Sequence, residues 1–179
     1  HEKGILTKND TDLDLSWGNS DTVIELVSRI TYRKELGSIL AEGVRKAAQI
    51  IGKGSEYYAM HIKGQEISAQ DGRSQQSMGL AQATSSRGAD HLKGFPTIDE
   101  TGYPSEAVLR YGKECLPEII DGIQTKYKPM VVKDGEEFCA VIDSAGICKV
   151  GTLFPPALYW QPIATALALI TGMDMSVAK

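Results

Sequence analysis

The sequence predicts a mainly α protein with only short extended segments. Apolar residues recur at the three- and four-residue spacing of an amphipathic helix in several stretches, whereas one short stretch has the character of a strand. Prolines and glycines lie at the ends of these stretches, where helices begin and end. With 179 residues, 42% of them hydrophobic, the chain is long enough for one sizeable core or two small ones.

Two helices are predicted in the first third of the chain. Ser20 or Asp21 caps the first helix, whose apolar residues at helical spacing are Val23, Ile24, Val27 and Ile30. The second helix ends at Gly52 and repeats Leu40, Val44, Ala47, Ala48 and Ile51. We expect the two helices to pack as a hairpin and a short extended segment to follow at 57–62.

The second half of the chain predicts further helices. One begins at Ser105, carries Val108 and Leu109 and ends near Pro117, and a second helical piece includes Ile119, Ile120 and Ile123. Asp134 followed by Glu137 is typical of a capping box, ahead of an apolar face of Phe138, Val141, Ile142 and Ala145. This helix would carry Asp143 and Cys148 at its C-terminal end.

The last predicted helix lies in a run without charged side chains, 151–173. Pro155, Pro156 and Pro162 interrupt the run, so its unbroken helical part is shorter than the roughly 20 residues needed to span a membrane. We therefore expect no membrane span but a core helix with Pro162 in its first turn, closed by Gly172. Its predicted buried residues are Ile163, Ala166, Leu167 and Ile170.

Charge and cysteine content indicate the class of protein. The formal net charge of -4 offers no basic field for nucleic acid, so a nucleic-acid partner is disfavoured. Cys115, Cys139 and Cys148 are odd in number and lack the paired spacing of a zinc site or a disulfide framework. This usage favours a reducing, cytoplasmic setting.

Two segments carry the residues best suited to chemistry: 143–148, with the sequence DSAGIC, and 83–92, with the sequence ATSSRGADHL. By residue chemistry alone, Cys148 is more often a small buried hydrophobe, and His91 is more often a hydrogen-bonding loop residue. Asp143 lies where the helix dipole disfavours an acid, which is a weak indication of function. These residues alone leave both interpretations open.

Together, the two segments resemble motifs of the tungsten-dependent aldehyde ferredoxin oxidoreductase family. Asp143, Gly146 and Cys148 fit the family pattern Asp-x-x-Gly-x-Cys, with Ile147 where other members often have leucine. The resemblance implies that Asp143 and Gly146 form a pterin-binding turn and that Cys148 ligates a 4Fe-4S cluster. Carboxylate oxygens accept hydrogen bonds from pterin N–H groups, and thiolate sulfur is the ligand that such clusters require.

The second segment resembles the family loop whose histidine lies near the metal, which implies that His91 is catalytic. There it would polarise the aldehyde carbonyl or move a proton. Two further segments resemble the family less specifically: Glu66 lies in a Lys-Gly-x-Glu segment, and Arg73 lies in an Asp-Pro-Arg segment whose proline is replaced by Gly72. Arg73 has an alternative role in a surface pair with Asp71 or Glu66.

The resemblance covers nearly the whole chain and implies two helical domains, both incomplete. Residues 1–61 resemble the end of the family's middle helical domain, and residues 62–179 resemble most of its final helical domain. The family's N-terminal sheet domain, three-cysteine motif and first pterin motif have no counterpart here. We therefore expect a piece of a larger enzyme that holds neither cofactor alone.

The implied activity is oxidation of an aldehyde to a carboxylic acid with a tungsten or molybdenum bis-pterin and a 4Fe-4S cluster, with electrons passing to ferredoxin. The partners would be ferredoxin, the aldehyde and the missing domains of the same enzyme, and a homo-oligomer is left open. One alternative is a related tungsten enzyme that acts on an aromatic acyl thioester. The other is a noncatalytic helical binding module. Cofactor content distinguishes the module from the enzymes, and substrate profiling distinguishes the two enzymes.

Overall fold

A computed structural model describes residues 1–153 and 158–176, and its residues are mostly helical, as predicted. Backbone contacts divide the chain into two compact units. The first comprises His1–Ile67 with Arg87–Ala89, and the second comprises Ser68–Ser86 with Asp90–Lys179. The domain boundary near residue 61 that the sequence suggests remains a prediction.

The first unit contains four helices and a two-stranded antiparallel sheet among its described residues: α1 (Lys8–Thr11), α2 (Ser20–Thr31), α3 (Leu36–Leu40), α4 (Val44–Ile51), β1 (His61–Ile62) and β2 (Gln65–Glu66). The cap of α2 is Asn19, whose side chain accepts a hydrogen bond from the Thr22 N–H at 3.2 Å. Gly52 ends α4, as predicted.

The predicted hairpin of two long helices is wrong. The second helix is divided at Gly43, whose φ of +86° interrupts the helix, so α2 packs against short α3 and α3 against α4. Gly37 allows α3 to lie close to α2, because a Cβ at this position would be 2.2 Å from the carbonyl carbon of Arg29. The predicted face of α2 is largely exposed at Val23 and Val27.

The extended segment predicted at 57–62 is also shorter than expected. Ser55–Tyr58 forms a 3₁₀ turn, and only His61–Ile62 is a strand. The Nδ1 atom of His61 accepts a hydrogen bond from the Gly64 N–H at 3.3 Å, within the hairpin turn.

The second unit contains six helices among its described residues: α5 (Gln76–Thr84), α6 (Ile98–Thr101), α7 (Pro104–Tyr111), α8 (Lys128–Ala145), α9 (Lys149–Leu153) and α10 (Trp160–Thr171). The helix predicted from Ser105 is α7, which ends at Tyr111 rather than near Pro117. The predicted helical piece at 119–123 is wrong, because this segment forms turns. Glycine is required at position 122, because a Cβ there would lie 2.2 Å from the Ser74 carbonyl oxygen.

Helix α8 is the central element of the second unit. It begins at Lys128 with Pro129 in its first turn, so the capping box predicted at Asp134 is wrong. Asp134 instead lies inside α8, where its carboxylate accepts hydrogen bonds from Tyr111 Oη at 2.7 Å, from Trp160 Nε1 at 3.1 Å and from Tyr159 Oη. The apolar face of α8 is confirmed at Phe138 and Ile142, which are fully buried.

Helix α10 packs against α8 through one fully buried residue, Ile163, in a core with Phe138, Cys139 and Ile142. Gly172 ends the helix in the left-handed conformation, as predicted. The predicted burial of Ala166 and Ile170 is wrong, since both are exposed. Within residues 1–153 and 158–176, no helix is long and apolar enough to cross a membrane; Pro155 and Pro156 lie outside the described residues.

Candidate cofactor-binding site

The segment with Asp143, Gly146 and Cys148 forms the turn between α8 and α9. Gly146 ends α8 with φ of +71°, a conformation that favours glycine. The Ile147 N–H then donates to the Ile142 carbonyl at 2.9 Å, which reverses the chain. Asp143 therefore lies in the last turn of α8, and Cys148 directly precedes α9, so the predicted position at a helix end is confirmed.

Two lysines surround the carboxylate of Asp143. Lys149 Nζ lies 2.7 Å from Oδ1 and 2.9 Å from Oδ2, and Lys93 Nζ lies 3.4 Å from Oδ2. The hydrogen bond from Lys149 is the main reason that the pKa of Asp143 is below its ordinary value. The two cations offset the unfavourable position of an acid at a helix C-terminus, so Asp143 is an ionised acceptor at neutral pH.

The thiol of Cys148 differs from the other two thiols of the chain in its exposure and its pKa. It is exposed, and hydrogen bonds from the backbone N–H groups of Gly151 and Val150 lower its pKa. Cys115 and Cys139 are both buried; burial raises both thiol pKa values, that of Cys139 to about 11. Cys148 is thus the cysteine best suited to bind metal, although no group of three or more metal-ligating side chains is found in the described parts of the chain.

The loop that carries His91 forms a tight turn on α8. The Phe95 N–H donates to the His91 carbonyl at 3.0 Å, and the two rings lie 5.9 Å apart. Phe95 has a φ of +23°, a strained value for a bulky residue, and its ring packs against the core around Phe138. Strain of this kind persists where the surrounding packing holds it, so we regard the loop as preorganised.

Two glycines bring this loop against α8. A Cβ on Gly135 would lie 2.0 Å from the carbonyl oxygen of Gly94, so only glycine in the middle of α8 allows the backbone contact. The ion pair between Lys93 and Asp143 joins the same loop to the C-terminal end of α8. The structure therefore places the histidine loop and the Asp143–Cys148 turn on one helix.

The two weaker candidates have structural roles. Glu66 accepts a hydrogen bond from the Val44 N–H at 2.7 Å and caps α4, and this bond is the main reason that its pKa is lowered. Arg73 pairs with Asp71 at 2.6 Å while its side chain is 92% exposed. The surface pair of Arg73 and Asp71 that the sequence suggested is confirmed.

Sequence reasoning missed Lys93, Lys149 and Gly135. Lys149 directly follows Cys148, and this adjacency was a usable signal once a turn was predicted there. The contacts of Lys93 with Asp143 and of Gly135 with Gly94 join residues far apart in the sequence, which periodicity cannot reveal.

We expect Gly135→Ala to displace the His91 loop. The added methyl group would overlap the Gly94 carbonyl oxygen, and overpacking of this kind costs about 1–3 kcal/mol. Urea denaturation would measure the loss, and amide hydrogen exchange at Phe95 would report the opening of the turn. Gly151→Ala in α9 is the stability control, because nothing lies within 4 Å of its added Cβ. Equal stability and equal exchange in the two variants would contradict the expectation.

A family profile and the similar known proteins indicate one enzyme family. A family profile described as "Aldehyde ferredoxin oxidoreductase, domains 2 & 3" matches residues 1–179. The tungsten-containing aldehyde ferredoxin oxidoreductase of Thermococcus kodakarensis is 31% identical over 154 residues, 85% of this chain and 23% of the relative. The enzyme of the same name from Pyrococcus abyssi is 30% identical over 156 residues, 85% of this chain and 24% of the relative.

A relative with a different name is also similar. The "Aliphatic sulfonate oxidoreductase, WOR-like subunit" of Pyrococcus furiosus is 33% identical over 114 residues, 60% of this chain and 18% of the relative. The matched part of this chain spans about a quarter of the length of the two aldehyde oxidoreductases.

Proposed function

Because this chain belongs to the aldehyde ferredoxin oxidoreductase family, we propose that it supplies pterin-, cluster- and substrate-facing residues of a larger cytoplasmic tungsten enzyme. The enzyme would oxidise an aldehyde with water to a carboxylic acid, releasing two protons and passing two electrons to ferredoxin. The observation that carries the proposal is the placement of the His91 loop and the Asp143–Cys148 turn on α8.

The residues of the turn fit the two cofactors in their donor chemistry. Asp143 is ionised and its side chain is 40% exposed, so acceptor capacity remains for the N–H groups of a pterin. Gly146 leaves the backbone uncovered at the helix end, since nothing lies within 4 Å of a Cβ there. Cys148 supplies an exposed thiol of lowered pKa, suited to one of the four positions of a 4Fe-4S cluster.

His91 is the residue of this chain that we assign to the substrate. The tungsten pterin, when bound, would accept the two electrons of the oxidation. An imidazole nitrogen of His91 would hydrogen-bond the aldehyde oxygen or take the proton of the attacking water, as general acid–base catalysis requires. The preorganised turn from His91 to Phe95 would hold the imidazole in place while the reaction occurs.

The family has more than one candidate substrate class for this enzyme. Similarity to a relative named for aliphatic sulfonates favours a second candidate, a sulfonate-oxidising enzyme with the same cofactors. The candidate enzymes would use the same Asp143–Cys148 turn. Measuring activity with aldehydes, aliphatic sulfonates and aromatic acyl thioesters would therefore distinguish them. Elemental analysis of the full enzyme would distinguish tungsten from molybdenum, and size-exclusion chromatography would establish whether it is a homo-oligomer.

The proposal predicts that Cys148 is required for the cluster. In the full enzyme that contains this chain, expressed with tungstate, we expect both tungsten and iron by elemental analysis. Cys148→Ala should remove most of the iron, because a 4Fe-4S cluster depends on its thiolate ligands. Cys115→Ala is the matched control and should retain iron, since Cys115 is buried in a separate core. Wild-type protein without either metal would favour the noncatalytic module, and Cys148→Ala with full iron would refute the ligand assignment.

A further inference from the structure

We propose that Lys149 is a positioning residue of the pterin site, which holds the Asp143 carboxylate in place relative to Cys148. This inference rests on the proposed function.

Lys149 and Asp143 form a two-point ion pair. The Lys149 ammonium contacts both oxygens of Asp143, at 2.7 and 2.9 Å, and the Lys149 side chain is only 12% exposed. A nearly buried ammonium that contacts both oxygens restricts rotation of the carboxylate. Lys93 adds a single contact at 3.4 Å with a side chain that is 39% exposed, so Lys149 is the stronger constraint.

Lys149 is next to the proposed cluster ligand in the chain. It follows Cys148 directly and is the first residue of α9, whereas Asp143 lies in the last turn of α8. The ion pair therefore bridges the turn that Gly146 makes, and it restrains the pterin acceptor and the cluster ligand together. A change in this bridge should alter both the binding of the pterin and the surroundings of the cluster.

The Asp143 carboxylate has acceptor positions beyond those that the two lysines occupy. An ionised carboxylate offers about four lone-pair directions, of which Lys149 and Lys93 occupy a part. The exposed fraction of the Asp143 side chain, 40%, leaves the remainder accessible. Lys149 thus orients the carboxylate without consuming its ability to accept hydrogen bonds from a ligand.

The test compares Lys149→Met, Lys149→Arg and the control Lys133→Met in the cofactor-loaded full enzyme. Lys133 pairs with Glu137 on the exposed face of α8, with 74% of its side chain accessible. Loss of a residue that orients a ligand typically costs about 10–100-fold in affinity or activity. We expect Lys149→Met to retain iron, to bind tungsten-pterin about 10–100-fold more weakly and to shift the cluster midpoint potential to a more negative value.

Two further variants should behave like the wild type. Lys149→Arg keeps a cation that can contact both oxygens, so it should restore most of the pterin content and the potential. Lys133→Met should match the wild type in both. If Lys149→Met does not fold, Lys149→Gln takes its place, because it removes the charge, is one atom shorter than lysine and keeps an NH₂ donor group. Wild-type pterin content and potential in Lys149→Met, in an enzyme that does contain tungsten and iron, would overturn the role of Lys149 alone. Absence of both metals from the wild type would overturn the proposed function and this inference with it.

Discussion

Replacing His91 with alanine in the cofactor-loaded enzyme should lower kcat by about 10²–10⁴-fold, the contribution typical of general acid–base catalysis. Tungsten and iron contents should stay at their wild-type values, because the proposed role of His91 is toward the substrate and not toward a metal. Steady-state kinetics with an aldehyde and elemental analysis of the same preparation would measure the two effects together. Loss of activity with retained cofactors would distinguish His91 from Cys148.

His61→Ala is the matched control for this experiment. His61 lies in the first unit and accepts a hydrogen bond from the Gly64 N–H in a two-stranded hairpin, and the proposed function assigns it no role. Its removal should cost about 1 kcal/mol of stability and leave kcat unchanged. If His91→Ala retained wild-type kcat, the catalytic assignment would be wrong and the loop would have a structural role only.

The local elements of the fold were predictable because their signals are local. Helix ends at Gly52, Gly146 and Gly172 follow from the left-handed or otherwise helix-breaking backbone that glycine adopts easily. The apolar spacing around Phe138 and Ile142 correctly predicted the buried face of α8. The same reasoning placed Asp143 and Cys148 at the end of a helix.

Tertiary contacts explain where the same reasoning failed. The sequence pattern of Asp134 and Glu137 is that of a helix cap. In the structure, the Asp134 carboxylate instead accepts hydrogen bonds from two tyrosines and a tryptophan outside α8. Ile170 has the helical spacing of a buried residue, but α10 is buried at Ile163 and not at Ile170. Spacing alone therefore overestimated the burial of Ile170. In the site, the motif identified Asp143 and Cys148, but the lysines that surround Asp143 depend on how the chain folds.

Asp99 and Lys128 form a buried ion pair in the second unit. Lys128 Nζ lies 3.2 Å from Asp99 Oδ2, and the two side chains are 2% and 0% exposed. The ammonium also donates to the Ile119 carbonyl at 2.8 Å, and Asp99 accepts hydrogen bonds from the backbone N–H and the hydroxyl of Ser77. The pair therefore joins α5, α6, the turn at 118–119 and the first residue of α8.

Lys128→Met should lower the free energy of unfolding by about 3–5 kcal/mol, because it leaves the Asp99 charge buried without its cation. Urea denaturation of the chain would measure this loss. Lys126→Met is the control: Lys126 pairs with Glu118 at 2.9 Å beside the same turn, but its side chain is 56% exposed, so the cost should be about 1 kcal/mol or less. The combined variant Asp99→Asn with Lys128→Met should recover part of the loss, since no charge then remains to be buried. A cost for Lys128→Met no greater than that for Lys126→Met would show that the orphaned carboxylate reaches water, and that the pair does not hold α8 to the rest of its unit.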